Sequence, residues 1–272
     1  MIRTPHPALR PFVRDLWINE RPRSGHPNTA DERAMPDGLM HIVIRLSHAQ
    51  IRIADSSKAH DFGYAVLGGA RSGHYVRGSH ASARSIGATL LPGAARVFFG
   101  NSALAFANRH TKLDDLWGAE VTLLREHLAE LRRPSLQLDL FELYLLNRLP
   151  AIRGVHPAIA ASLAALQPDE DVSSMVERSG FSHRRFVELF VETVGLSPKK
   201  FMRVRRFQRV LKMLSAQPTK SWAQLALDAG YADQPHLNRD FREFAGLAPE
   251  EYRRAAPESP GHVVIADPPR SK

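Results

Sequence analysis

The residues best equipped for chemistry in this sequence are cations. Lys199, Lys200, Arg203, Arg205, Arg206, Arg209 and Lys212 put seven bases into fourteen positions with no acid among them. Cations at that density either form a solvated helix face or meet a polyanion, whose phosphates they neutralise while counterions are released. The surrounding charge leans toward the polyanion. Val172 to Arg254 holds 15 Lys and Arg against 9 Asp and Glu, whereas the rest of the chain holds 22 against 19.

Thirteen histidines raise a different chemistry, metal-assisted catalysis in a barrel-like domain. His74 and His80 lie close together with His41 upstream, but this spacing fits no ligand motif. No Ser-His-Asp signature or glycine-rich phosphate loop occurs, since Gly68-Gly69 lacks the context of either. The chain has no cysteine, which removes disulfides, thiolate nucleophiles and Cys-ligated zinc together. The expectation is a non-enzyme with no catalytic residue, cofactor or metal. A metal-dependent enzyme is one alternative, and an architectural DNA-binding protein is another.

The elements that must position the cations lie in the second half of a 272-residue chain, long enough for two domains. Apolar content of 43% and charged content of 24% match ordinary globular proteins and exclude wholesale disorder. No apolar run suits a membrane span and the first residues lack a signal-peptide core, so a soluble cytoplasmic protein is expected. Short β-branched or alternating segments at His41–Leu46, Gln50–Ala54, Arg84–Leu91 and Arg96–Phe99 read as strands between Gly/Pro turns, suggesting a small barrel or sandwich. Leu113, Trp117, Val121, Leu124, Leu128 and Leu131 then stripe one helix face that Pro134 ends, and Ser135 caps a second helix to about Leu149. The overall class is α+β: a β-rich, barrel-like sensor or effector domain with trailing helices over 1–150, an all-α domain over 151–256, and a loose Pro-rich tail over 257–272. Pro150 to Pro157 is the linker, and Val263 to Ile265 has the composition of a short edge strand.

The helical half repeats itself. Phe190 to Phe201 matches Phe241 to Tyr252, both reading Phe, Glu two residues on, Gly-Leu-small-Pro, two charges and an aromatic. Upstream, Gly180-Phe181-Ser182 and Gly230-Tyr231-Ala232-Asp233 each follow a short amphipathic segment. A helix-turn-helix needs this grammar: glycine ends one helix in the left-handed conformation, and Ser or Asp caps the next. Pro235 falls in the first turn after its cap, where its missing N–H has no intrahelical partner.

Two such units joined by one basic helix resemble the AraC family of transcription regulators over roughly Val155 to Arg254. Gly230, Tyr231, Asp233, His236, Leu237, Arg239, Phe241, Gly246, Pro249 and Tyr252 carry the match in the second unit. Gly180, Ser182, Phe186, Phe190, Gly195, Pro198 and Phe201 carry it in the first, which departs at Glu188 and Val210. Pro36 to Val43, Phe98-Phe99-Gly100 and Leu113 to Gly118 look like the sensor domain of some of these regulators. The resemblance implies double-stranded DNA and RNA polymerase as partners, a β-rich module sensing an unidentified small molecule or mediating assembly, and regulation such as activation.

A recognition helix sets its first turns against base edges in the major groove. The outward positions there are His183, Arg184, Val187 and Glu188 in the first unit, and Gln234, His236 and Arg239 in the second. Arginine suits guanine, glutamine suits adenine, and a carboxylate accepts from cytosine. Lys199, Lys200, Arg203, Ser182 and Asn238 are placed to contact phosphates, although some arginines of the joining helix suit acids of the flanking units equally well. Phe201, Val204, Phe207, Leu211 and Leu214 form that helix's buried stripe. In the first half, Trp17, Phe62, Tyr64, Tyr75, Phe98 and Phe99 either fill a core or line a ligand pocket. The Leu113–Leu131 stripe suits internal packing or a homodimer seam.

Overall fold

The computed structural model describes residues 1–20, 31–55, 58–78, 83–149, 157–166, 170–255 and 261–264. The strands of the first half are β1 (Ile2–Arg3), β2 (Val13–Glu20), β3 (Glu32–Ala34), β4 (Met40–Arg45), β5 (Arg52–Asp55), β6 (Lys58–Asp61), β7 (Ala65–Gly68), β8 (Tyr75–Arg77) and β9 (Arg84–Leu90). Helix α1 (Ala94–Phe99), a 3-10 turn (Ala103–Phe106), β10 (His110–Lys112), α2 (Asp114–Trp117), α3 (Glu120–Glu130) and α4 (Pro134–Asn147) follow. The second half contains α5 (Pro157–Ala164), α6 (Val172–Ser179), α7 (His183–Val194), α8 (Pro198–Ala216), α9 (Trp222–Asp228), α10 (Gln234–Ala245) and α11 (Pro249–Ala255), then β11 (His262–Val264).

The strands form two antiparallel sheets, ordered β1-β2-β9-β4-β7-β10 and β11-β3-β8-β5-β6. They do not close into a barrel, one of the two arrangements, barrel or sandwich, that the sequence suggested. Period-two alternation gives the larger sheet two chemically different faces. Met40, Ile42 and Ile44 of β4 are buried with Leu16, Leu67, Ile86, Ala88 and Leu90 from neighbouring strands, and the face packs on Phe98, Val121, Leu124, Leu128 and Phe141. His41, Val43 and Arg45 alternate with them and project from the opposite face toward the smaller sheet. At one end the sheets meet through Ile51, Ile53 and Val66, with Val43, Phe62 and Tyr75 packed beside them.

Several segments differ from expectation. Arg96 to Phe99, read as a strand, lies in α1, because Ala94, Ala95 and Phe98 share a buried helical face between left-handed Gly93 and Gly100. The Leu113–Leu131 stripe is split at Gly118 into α2 and α3, yet Leu113, Trp117, Val121, Leu124 and Leu128 are all buried within this chain. Ser135 does not cap α4: Pro134 opens that helix, where its lack of an N–H costs nothing. The tail is not wholly loose. β11 pairs antiparallel with β3, placing Val263 opposite Arg33, and buries Val263 in the core of the second helical unit. The linker residues 150–156, like His80 and Ile265, lie outside the described residues. No described helix is long and apolar enough to cross a membrane.

The two expected domains share their interiors. One core runs from Ile42 and Phe98 into Met175, Phe186, Phe190 and Phe201. Another joins Met35 and Val263 to Val204, Phe207, Leu225, Leu237 and Phe241. Each half of the helical region is therefore bonded by burial to the β-rich half.

Candidate nucleic-acid interface

Each helical unit is built by a turn and a cap. Gly180 and Gly230 take positive φ angles of 70° and 86°, which let α6 and α9 stop sharply. Ser182 Oγ accepts from the Arg185 N–H at 3.4 Å, and Asp233 Oδ1 from the His236 N–H at 2.6 Å. Such caps each contribute about 1 kcal/mol to holding a helix start in place. Met175 of α6 and Trp222, Leu225 and Ala226 of α9 are buried against the second helix of their own units. On α7, Phe186, Leu189 and Phe190 face inward; on α10, Leu237, Phe241 and Phe244 do so. Apolar anchoring of that face fixes which side chains remain outside.

The first turn of α7 exposes His183, Arg184 and Arg185, and Glu188 is exposed one turn on. Val187, expected to point outward, is half-buried beside the apolar face. Glu188 is engaged within its own helix: Arg184 Nε donates to it at 3.0 Å and Arg185 Nη1 at 3.5 Å. The hydrogen bond from Arg184, followed by both guanidinium charges, holds its carboxyl below the usual range. On α10, Arg239 is exposed, whereas Gln234, His236 and Asn238 are half-buried. The His236 ring stands edge-on to Tyr231 at 5.1 Å between centroids. Arg185 and Arg242 are exposed cations outside the sequence assignment. Their spacing was the available signal, since each lies three residues from an assigned outward position, Glu188 and Arg239 respectively.

The basic run on α8 divides by environment. Lys199 and Lys212 are exposed. Lys200 pairs with Glu243, and Arg203 reaches Asp240 through Nε at 3.1 Å and Nη2 at 2.5 Å, while also pairing with Glu243. Burial pulls the Arg203 pKa down, but its bonds to these two carboxylates outweigh that and leave it raised. Arg206 donates to the Gly230 carbonyl at 3.0 Å and lies over the Tyr231 ring; Arg209 donates to the Ala229 carbonyl at 3.3 Å. Burial, followed by the Asp240 charge, lifts the Tyr231 phenol well above its ordinary pKa. Arg205 has its pKa lowered by burial and then by the charges of Arg14 and Arg209, with Asp37 opposing. Much of this cationic run therefore holds the second unit onto α8. The buried stripe of α8 contains all five expected residues and also Val210.

Both candidate recognition helices are fastened at their far ends. The Gly93 N–H donates to the Thr193 carbonyl at 3.0 Å near the end of α7. At the end of α10, the His74 N–H donates to the Phe244 carbonyl at 3.0 Å, and Arg33 Nη1 donates to Ala245 and Gly246 carbonyls at 3.1 and 2.9 Å. A cation there also suits the negative end of the helix dipole.

Residues 175–255 match the family profile of a helix-turn-helix domain, and residues 2–112 match that of a domain of unknown function. Residues 175–255 form an AraC-type helix-turn-helix domain. An uncharacterized HTH-type transcriptional regulator of Haemophilus influenzae is 28% identical over 123 residues, covering 45% of this chain. The match spans only 41% of that relative's own length. Among solved structures, unsaturated-fatty-acid-bound ToxT from Vibrio cholerae aligns with 88% of this chain and 94% of its own, at 11% identity and TM-score 0.46. The DNA-binding domain of AdpA, solved with a target DNA, aligns with 36% of this chain and 87% of its own, at 26% identity and TM-score 0.32. No group of three or more His, Asp or Glu side chains is arranged to hold a metal among the described residues.

Proposed function

We propose that the chain is a sequence-specific DNA-binding transcription regulator, not an enzyme, in which the β-rich half acts as a sensor for a small molecule. The observation carrying this reading is the paired arrangement of capped helices. Each has a polar start, exposed on α7 and half-buried on α10, and an end secured to the rest of the protein. Two such starts on one joining helix suit two successive major-groove segments. His183, Arg184, Gln234, His236 and Arg239 are assigned to base edges, with Val187 and Glu188 at the margin of the first contact. Lys199, Ser182 and Asn238 are assigned to phosphates. Lys200 and Arg203 reach phosphate in this reading only by sharing themselves with Asp240 and Glu243.

The partners are double-stranded DNA, a small-molecule effector and, through the family resemblance alone, RNA polymerase; the location is cytoplasmic. A homodimer would draw on Leu123, Leu136 and Leu143, which α3 and α4 leave exposed, because most of the expected seam is consumed internally. Binding-site selection with the full chain tests the reading. Selected duplexes should bind far more tightly than random DNA at moderate salt, and affinity should fall steeply as salt rises. Arg239→Ala should relax base preference at a defined position by about 1–3 kcal/mol. Equal binding of selected and random duplexes would overturn the regulator reading.

A further inference from the structure

The inner face of the larger sheet breaks the rule by which packed sheets bury apolar residues between them. Its cross-strand register places Asp15 opposite Thr89, Thr89 opposite His41, His41 opposite Gly68 and Gly68 opposite His110. Thr89 Oγ1 donates to Asp15 at 2.7 Å, His41 Nε2 lies 3.1 Å from both Asp37 oxygens, and Arg71 Nη1 lies 3.0 Å from His110 Nδ1. The next row is apolar: Trp17 crosses Gly87, which pairs with Val43, which pairs with Val66. A Cβ on Gly87 would lie 2.3 Å from the Ile42 carbonyl oxygen and 2.4 Å from the indole, so glycine is needed for that ring to approach the sheet this closely. A third row brings Asn19, Ser85 and Arg45 together.

Between these rows and the smaller sheet is a cavity of about 570 Å³, within the range of small-molecule sites. Ile51, Ile53 and Tyr75 extend its apolar middle from the opposite side. The charged side chains facing it are Arg14, Arg45, Arg71 and Arg77 against Asp15, Glu32 and Asp37, a surplus of one positive charge. Burying that many polar groups is costly unless they have partners, and local departures from an apolar interior concentrate at functional sites.

The smaller sheet is a single layer between this cavity and the second helix-turn-helix unit. Glu32 and Ala34 of β3 line the cavity, while Arg33 between them holds the end of α10. His262 of β11 lines the cavity, while the adjacent Val263 is buried in the core of the second unit. Tyr75 and Arg77 line it from β8, and the preceding residue, His74, donates to Phe244. Gln208 of α8 also lines it and donates to the Pro36 carbonyl at 2.7 Å.

We propose that this cavity binds a small amphipathic organic anion, with its flat apolar body on the Trp17–Val43–Val66 row and its anionic group among the arginines, and that the smaller sheet passes occupancy to α10. The binding part stands on the cavity alone, and the regulatory meaning of the coupling rests on the reading of the chain as a DNA-binding regulator. The probe is 8-anilino-1-naphthalenesulfonate, with N-phenyl-1-naphthylamine as the same body without the anion, each titrated into the full chain by fluorescence. The sulfonate should saturate one site per chain at least tenfold more tightly than the neutral dye. Arg71→Gln should weaken the sulfonate about fivefold and leave the neutral dye within twofold. Ser85→Trp, which fills the cavity, should remove both.

Hydrogen exchange on the wild-type chain keeps the proposal testable if the filled variant fails to fold. Saturating sulfonate should slow exchange at least threefold in β3, β4 and β8, and change it in α10. Non-saturating binding, equal affinity for the two dyes, or protection confined to other segments would overturn the site. Protection of the strands with unchanged α10 would overturn the coupling. Dye binding with no DNA selectivity would instead retain the cavity and remove the regulator reading, so the two failures are distinguishable.

Discussion

Arg203 separates a phosphate contact from an internal brace, and its substitution has different consequences in the two cases. Asp240 is 1% exposed and takes two N–H donors from Arg203, whose side chain is 23% exposed and also pairs with Glu243. Removing one partner of a buried pair costs about 3–5 kcal/mol, because the other charge is left desolvated. Arg203→Ala leaves a buried carboxylate and belongs near the lower end of that range, about 3 kcal/mol, since the pair is partly open to solvent. Asp240→Ala should cost less, about 2 kcal/mol, because Arg203 retains Glu243 and solvent. Arg203→Met/Asp240→Leu should recover to within about 1 kcal/mol of wild type, as apolar replacements of both partners often do. Hydrogen exchange of the amides in Gln234–Ala245 is the assay, because it reads the local opening of α10. The loss in Arg203→Ala corresponds to roughly 150-fold faster exchange at about 1.4 kcal/mol per tenfold. If exchange in α10 accelerates less than about fivefold while DNA affinity and its salt slope both fall, Arg203 is a phosphate ligand and the brace is refuted.

Two further outcomes follow from the β-rich half. His110 has its pKa lowered from 6.5 to about 3 by burial, then by the charges of Arg71 and His41. The unfolded chain takes up a proton near pH 6.5 that the folded chain refuses until about pH 3, so stability falls as pH drops through that window. His110→Asn should flatten the fall of the thermal midpoint between pH 6.5 and 4.5, and an unchanged slope would contradict this assignment. Ending the chain after Ala255 removes Val263 from the second unit's core and bares the β3 edge. Burial of one valine contributes about 2 kcal/mol, so the truncated chain should melt earlier and exchange faster in α10; equal protection there would exclude a role for β11 in holding the unit.

Local rules made much of the helical half legible in the sequence. Ser182 and Asp233 cap where their side chains can reach the third N–H onward, Gly180 and Gly230 end helices where a Cβ would be strained, and Phe201 to Leu214 stripe α8 at helical spacing. These features depend on neighbours a few residues away, so residue type and spacing determine them. β4, β5, β9 and β11 were legible for the same reason, from alternation or β-branched composition. Arg96–Phe99 was not, because four residues rich in aromatic side chains suit a strand or a helix until the surrounding core selects one face.

Tertiary structure decided what the charges do. In the sequence, Arg203 is one cation in a run of seven; folded, it meets Asp240 and Glu243 about forty residues away, and the run becomes a brace as well as a basic surface. The cavity had no sequence signature beyond Trp17 and Tyr75 among six candidate aromatics, since its polar rows exist only when β2, β9, β4, β7 and β10 pair in register. Phe98 lies instead in the helix-packed core, Phe99 stacks on Trp117, Phe62 packs beside His110, and Tyr64 lies under Arg125. Sequence spacing determines which face of an element is apolar, whereas long-range pairing determines which partner each polar face meets. A guanidinium is therefore solvent-facing, bonded to a buried carboxylate, or part of a cavity wall according to contacts that only the folded chain brings within a few ångströms.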